Sequence, residues 1–228
     1  MSMKYRDIRR GIKNLYRREI LRDRPLLEAK RWFRDRGDST LRLNYPLTTE
    51  SVVADLGGYK GVWAQQIYNK YNCNIHIFEP HPQFYAECRQ RFQSTDKVTV
   101  HDYGLSDSDG KFFISDDGDA SSFSHTNHRG QGIECKLRIA HEAFSDIGLS
   151  HIDLLKINIE GGEFQVLPIL IENDWMKRIR FLQIQFHTVG DYKSERDFIR
   201  EQLSITHAEQ WCYEFVWEGW EQKLDCQT

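Results

Sequence analysis

Val52-Val53-Ala54-Asp55-Leu56-Gly57-Gly58-Tyr59-Lys60-Gly61 sets an apolar run that ends on an acid against three glycines within five residues. Val62-Trp63-Ala64-Gln65-Gln66-Ile67-Tyr68 follows, with Trp63, Ile67 and Tyr71 at helical spacing. The pattern predicts a buried strand, a tight glycine turn and a helix. Glycines in such a turn let a ligand approach the backbone, and the helix start offers free N–H groups. A phosphate would suit that helix start, but Asp55 at the strand end repels it. The G-x-G-x-x-G spacing of dinucleotide binders and the Gly-Lys-Ser/Thr of a P-loop are both missing. A ligand carrying positive charge fits better, and S-adenosylmethionine, with its ammonium and sulfonium, fits best.

A second strand, Asn74-Ile75-His76-Ile77-Phe78-Glu79-Pro80, ends in an acid 24 residues beyond Asp55. In nucleoside-binding α/β sheets an acid at that place accepts hydrogen bonds from ribose hydroxyls, so Glu79 is the ribose candidate. The plainer alternative is that Asp55 and Glu79 only cap the helices after them. Pro80 and Pro82 stop the strand and open a helix with Phe84, Cys88 and Phe92 on one face. A third strand–turn–helix is His151-Ile152-Asp153-Leu154-Leu155-Lys156-Ile157-Asn158-Ile159-Glu160-Gly161-Gly162-Glu163-Phe164-Gln165-Val166-Leu167.

With these three motifs together, over roughly residues 50 to 190, the chain resembles the FkbM family of S-adenosylmethionine-dependent methyltransferases. That family carries Asp-Leu-Gly-Gly, Phe-Glu-Pro and Asp-Leu-Leu-Lys-Ile-Asp-Ile-Glu-Gly-x-Glu. The resemblance implies a Rossmann-like class I methyltransferase fold. Its mostly parallel sheet would have seven strands, the last antiparallel, with helices on both faces. It also implies O-methylation of hydroxyls on sugars, glycans or natural products, often in bacterial surface-polysaccharide pathways. Two positions depart from the family: Asn158 stands where Asp is usual, and Gln185 where many relatives have Glu. Both amides reduce the negative charge of the site and argue against a divalent metal; no metal ligands are assigned.

On the donor side, Asp55 and Gly57 would face the methionine moiety, with Gly58, Tyr59 and Gly61 lining the turn and Glu79 holding the ribose. His101-Asp102-Tyr103-Gly104-Leu105 would flank the adenine, with Asp102 either accepting from the exocyclic amine or serving only the turn. Methyl transfer to a hydroxyl requires alignment and removal of its proton. His187, at the end of Phe181-Leu182-Gln183-Ile184-Gln185-Phe186-His187, is the first candidate base, against a core or supporting histidine. Glu160 is the second, and Asn158 completes the catalytic set. Lys156 alternates with Leu155 and Ile157 and would face a buried acid or the sheet interior. Trp211, Trp217 and Trp220 read as packing for the terminal strands rather than as sugar-stacking rings.

The chain has 228 residues and a net charge of −3, enough for one α/β domain and an extension. Of 31 basic residues 13 fall in residues 1–36, against 5 of the 34 acidic ones, so a basic arm precedes an acidic body. Ile8, Ile12, Leu15, Tyr16 and Ile20 sketch an apolar stripe there, and Pro25 breaks the helix. The arm reads most plainly as a helix packed on the acidic body. Sharper readings are a contact for a diphosphate-bearing acceptor, for an anionic membrane surface, or for a second copy in a homodimer. Nucleic acid is not expected, since no stacking platform is legible.

The reading divides the chain into a helical extension, residues 1–45, and a methyltransferase domain, residues 46–228. Strands are expected at 51–55, 74–79, 97–101, 153–159, 180–187 and 211–217. Helices are expected at 61–71, 82–93, 162–171 and 194–203, with strand candidates at 111–114 and 134–139. The polar loop 115–132 is the candidate acceptor lid, and its His125 and His128 are either a metal pair or acceptor contacts. Five scattered cysteines (73, 88, 135, 212, 226) without C-x-x-C, no apolar signal segment and no membrane-length run point to a reducing cytoplasm. Two alternatives stand beside sugar O-methylation: a lipid, polyketide or peptide acceptor, and a non-catalytic module that kept the fold. A dinucleotide oxidoreductase is a weaker reading still.

Overall fold

Paired β-branched valines open β1 (Val52–Leu56), and every residue after Val52 in it is buried. Such a run suits a strand covered on both faces. The computed structural model that shows this describes residues 24–114, 132–188 and 191–224. After β1 come α2 (Val62–Tyr71), β2 (Asn74–Phe78), α3 (Pro82–Arg91) and β3 (Val98–His101); α1 (Arg24–Arg34) precedes it. Further on lie β4 (Gly104–Ser106), β5 (Gly110–Ile114), β6 (Ile133–Ile139), α4 (Ala140–Asp146), β7 (Ile152–Ile157) and α5 (Glu163–Glu172). A 3₁₀ turn (Trp175–Arg178), β8 (Ile179–Ile184), α6 (Tyr192–Thr206), β9 (His207–Tyr213) and β10 (Trp217–Gln222) complete the order.

Seven strands form one sheet in the order β3-β2-β1-β7-β8-β10-β9. Only β10 runs against its neighbours, so the mostly parallel sheet with one late antiparallel strand is as expected. A small sheet, β4-β6-β5, lies beside it. On one face Val53, Ile75, Ile77, Leu154 and Phe181 pack under Trp63, Ala64 and Ile67 of α2 and Cys88 of α3. On the other, Ala54, Leu56, Leu155, Ile157, Leu182 and Ile184 pack under α4, α5 and α6.

Helix boundaries follow local chemistry. His81 caps α3, its Nδ1 accepting from the Gln83 N–H, and Pro82 takes the first turn. Asn72 ends α2 in the left-handed conformation that Asn tolerates.

The structure differs from the sequence reading at several elements. The aromatic run 211–217 is two strands joined by a turn, with Phe215 at φ 57. Alternation across Tyr213 to Trp217 hides that turn. β4 and α4 are additional, each too short to show a period. β8 ends at Ile184, three residues before His187. α1 is described from Arg24 and includes Pro25. What precedes Arg24, including the apolar stripe from Ile8 to Ile20, lies outside the described residues, as do Cys226 and residues 115–131 with His125 and His128.

α1 and the segment after it are packed into the body. Trp32 is buried against Tyr213 and Trp217, with its ring 5.0 Å from that of Tyr213. Leu47 joins the core under α2, with Leu43 and Tyr45 against it. Among the described residues no helix is long and apolar enough to cross a membrane.

Candidate active site

The carboxyl ends of β1, β2, β7 and β8 bring the sequence's candidate residues to one edge, with the segment after β3 beside them. Asp55 closes β1 on the face toward α2. It pairs in register with Lys156 of β7, which pairs with Gln183 of β8, so three polar side chains form a row across three strands. Lys156 Nζ lies 2.7 Å from Asp55 Oδ1 and donates to the Gly57 carbonyl at 2.8 Å. Both side chains are buried. Burial pushes the Asp55 carboxyl up and the Lys156 ammonium down, each resisted by the attraction of the other. The cation that Asp55 meets directly is therefore Lys156. Gln183 donates to the Arg42 carbonyl and the Tyr45 hydroxyl, tying the segment before β1 to this row.

Gly57 has φ +78, and a Cβ there would lie 2.0 Å from the Asn158 carbonyl oxygen. Gly61 starts α2 at φ +70, where a Cβ would meet the Phe92 ring at 3.0 Å. These glycines are demanded by the chain's own packing at the turn. Tyr59, between them, is left-handed at φ 48 and half exposed, its ring 4.4 Å from that of Phe84. Its N–H donates to Glu79 Oε2 at 2.7 Å, while the His81 N–H donates to Glu79 Oε1 at 2.9 Å. Burial outweighs these bonds and pushes the Glu79 carboxyl up to about 7.

At the end of β3, His101 stacks on Phe78 and lies 3.1 Å from His76, nitrogen to nitrogen. Burial lowers His101 to about 4, so it is neutral at physiological pH. Gly104 is buried in β4, its absent Cβ close to Leu137 and Pro80. Asp102 is exposed and pairs with Lys136 at 3.4 Å.

The other half of the edge centres on His187. Its backbone N–H donates to Glu163 Oε1 at 2.6 Å, and its ring Nδ1 lies 3.0 Å from the same oxygen. Ring Nε2 lies 3.5 Å from Glu160 Oε1. Glu163 is completely buried, and its Oε2 accepts from the Gly161 N–H at 2.9 Å. Glu160 is left-handed at φ 52 and partly exposed. Burial alone would lower the His187 pKa, but hydrogen bonds to Glu160 and Glu163 and their charges raise it to about 9. The same contact holds Glu160 below the usual carboxylate range. Glu163 was visible in the sequence only as one acid of the Glu160-Gly161-Gly162-Glu163 turn. Its link to His187 spans 24 residues and two elements, which no local pattern discloses.

Two buried acceptors in this region, Asp55 Oδ2 and Asn158 Oδ1, have no hydrogen-bond partner. An unsatisfied buried acceptor is unfavourable by about 1–3 kcal/mol. A ligand with a donating ammonium beside β1 and β7 meets that need, and Glu79 has lone pairs left for ribose hydroxyls. The residues present thus fit an aminoacyl nucleoside carrying positive charge. Among the described residues the close grouping of metal-type ligands, Glu209, Cys212 and Glu218, is held by Arg196 and Arg200 instead of framing a metal.

The sequence profile of the methyltransferase FkbM domain matches residues 55–214. No curated protein sequence matches the chain. Among solved structures, the chain is similar to a methyltransferase FkbM from Methylobacillus flagellatus KT, with 14% identity, a TM-score of 0.49, and coverage of 78% of this chain. It spans 45% of that protein's length. It is also similar to a putative rRNA-methylase from Clostridium thermocellum, with 11% identity, a TM-score of 0.50, and 82% and 94% of the two chains covered. A third likeness is M. capricolum TrmK in complex with S-adenosyl-homocysteine, at 13% identity and a TM-score of 0.48, covering 84% and 68% of the two chains. The Clostridium likeness bears on the fold alone.

Proposed function

The chain belongs to the FkbM methyltransferase family, and from that premise we propose that it is an S-adenosylmethionine-dependent O-methyltransferase acting on a hydroxyl of a sugar, nucleotide sugar or glycan. The observation that carries this reading is His187, set between Glu160 and Glu163 at the sheet edge that also holds Asp55, Asn158 and Glu79. A hydroxyl is a poor nucleophile until its proton can leave, and an imidazole backed by a buried carboxylate is a competent acceptor for it. The acceptor class follows the family, and the reducing cytoplasm is the compartment the scattered cysteines suggest.

When bound, S-adenosylmethionine supplies a methyl group on a sulfonium, whose C–S bond breaks with its electron pair going to sulfur as the C–O bond forms. Glu79 would hold the ribose, and the Asp55 and Asn158 oxygens would receive the ammonium. Tyr59 and Gly61 shape the turn, and Gly104 and Asp102 border the adenine side. His187 carries a proton on each ring nitrogen while both carboxylates face it, so the one on Nε2 must leave first. Nε2 then takes the hydroxyl proton, and a positive charge leaves the sulfonium and arrives on the imidazole. Glu163, on Nδ1, stabilises that imidazolium.

The test has two arms. Calorimetry with S-adenosylhomocysteine should show binding to the wild type and at least about tenfold weaker binding to Glu79→Ala. Tritium-labelled S-adenosylmethionine is then offered with nucleotide sugars, methyl glycosides, a lipid extract, peptides and RNA. Label on a sugar hydroxyl supports the reading, and label solely on another class replaces the acceptor. Binding of S-adenosylhomocysteine with no transfer to any class leaves a non-catalytic module, and no binding at millimolar ligand removes the donor site.

A further inference from the structure

Two carboxylates face one imidazole in this site, and their surroundings differ. Glu163 starts α5 with no exposed surface, and both its oxygens are engaged by His187 and the Gly161 N–H. It grips His187 twice, through backbone and ring, so the ring cannot turn without breaking a buried carboxylate's hydrogen bonds. Glu160 reaches Nε2 at the longer separation of 3.5 Å, from a left-handed position and with 41% of its side chain exposed. A partly solvated carboxylate at that distance is readily displaced. Arg196 lies over the ring of Phe186, the residue before His187, and is paired with Glu218.

We propose that Glu163 is the positioning carboxylate of the site, fixing His187 as its Nδ1–H tautomer, and that Glu160 is a placeholder which the acceptor hydroxyl displaces from Nε2. This rests on the O-methyltransferase reading. With Nδ1–H donated to Glu163, the neutral ring presents its lone pair at Nε2, where the hydroxyl proton must go. The displacement also readies the base. While Glu160 faces Nε2, the ring stays protonated; when the hydroxyl displaces that carboxylate, the Nε2 proton leaves through Glu160 to solvent, and the lone pair left on Nε2 accepts from the hydroxyl. Two carboxylates are thereby given two roles by burial alone.

Ring-labelled ¹⁵N-histidine spectra test this without any acceptor, with His187→Gln assigning the signal. In wild type the ring should titrate well above pH 6.5 and give the Nδ1–H tautomer above its midpoint. Glu160→Gln should lower the midpoint and keep that tautomer, whereas Glu163→Gln should lower the midpoint and yield a tautomer mixture. A retained Nδ1–H tautomer in Glu163→Gln, with its S-adenosylhomocysteine-induced melting shift intact, overturns the proposal. Should Glu163→Gln not fold, a mixture in Glu160→Gln overturns it equally. With an acceptor that takes label, Glu163→Gln should lower kcat by about ten- to a hundredfold, and Glu160→Gln should mainly change the acceptor KM. The reverse split overturns the assignment of roles. Absence of transfer to every acceptor sinks the O-methyltransferase reading and leaves the ring spectra to decide Glu163.

Discussion

His187 holds its proton in the folded chain because two carboxylates reach its ring, one of them fully buried. Its pKa rises from about 6.5 in an unfolded chain to about 9 in the fold. The stabilisation is thus complete below pH 6.5 and lost as pH rises through 9, on the order of 3 kcal/mol in all. Urea unfolding at pH 6, 7.5 and 9.5 should show that fall in wild type, and His187→Gln should flatten it. Glu79 gives a second pH signature. Its carboxyl sits at about 7 because of burial, and donated ribose hydroxyls favour its charged form. S-adenosylhomocysteine affinity, read by calorimetry, should therefore rise about tenfold between pH 6 and 8, and Glu79→Gln should abolish the rise. The sequence placed Asp55, Glu79 and His187 at this edge because each ends a run whose apolar period is plain. It expected a buried acid or the sheet interior beside Lys156 but could not name Asp55, which meets it across two paired strands, nor pair Glu163 of α5 with His187 beyond β8.

The strand–turn–helix of β1 and α2 shows how one element fixes another. Gly57 is left-handed and stands against the carbonyl that follows β7, so Gly57→Ala meets both a strained backbone and unyielding atoms. A loss of about 2 kcal/mol or more, with loss of the ligand-induced melting shift, is expected. Gly110→Ala is the control: nothing lies within 4 Å of its Cβ, and a change within about 0.5 kcal/mol is expected. Both turns contain glycine in the sequence, and only the neighbouring strand distinguishes them. The same limit hid β4, which has three residues and no period of its own. It also hid the β9–β10 turn, where Phe215 and its aromatic neighbours imitate one continuous strand.

At the scale of the whole molecule, the N-terminal region is more than an appendage. Trp32 is 2% exposed, packed edge-on to Tyr213 and clustered with Trp217 at the far end of the sheet. Trp32→Ala should lower unfolding free energy by about 3–5 kcal/mol in a denaturant titration, more than a surface helix could lose. The sequence announces a helical extension over residues 1–45, but the sheet edge that its Trp32 covers, at Tyr213, comes about 180 residues later and is invisible locally. The central sheet was legible because its strands are buried on both faces; the covering of its β10–β9 end was not. The Asp55–Lys156 pair adds a constraint in time, since its members are separated by 101 residues. During synthesis from the N-terminus, β1 to β3 emerge carrying an uncompensated acid and an open central edge. They must wait for β7 to be inserted beside β1. Ribosome-bound chains halted near residue 150 should not retain labelled S-adenosylhomocysteine although Glu79 is already made, whereas chains with β8 clear of the exit tunnel should. The proposed donor pocket is in this sense a late product of translation, assembled from its two halves only when the second half has been born.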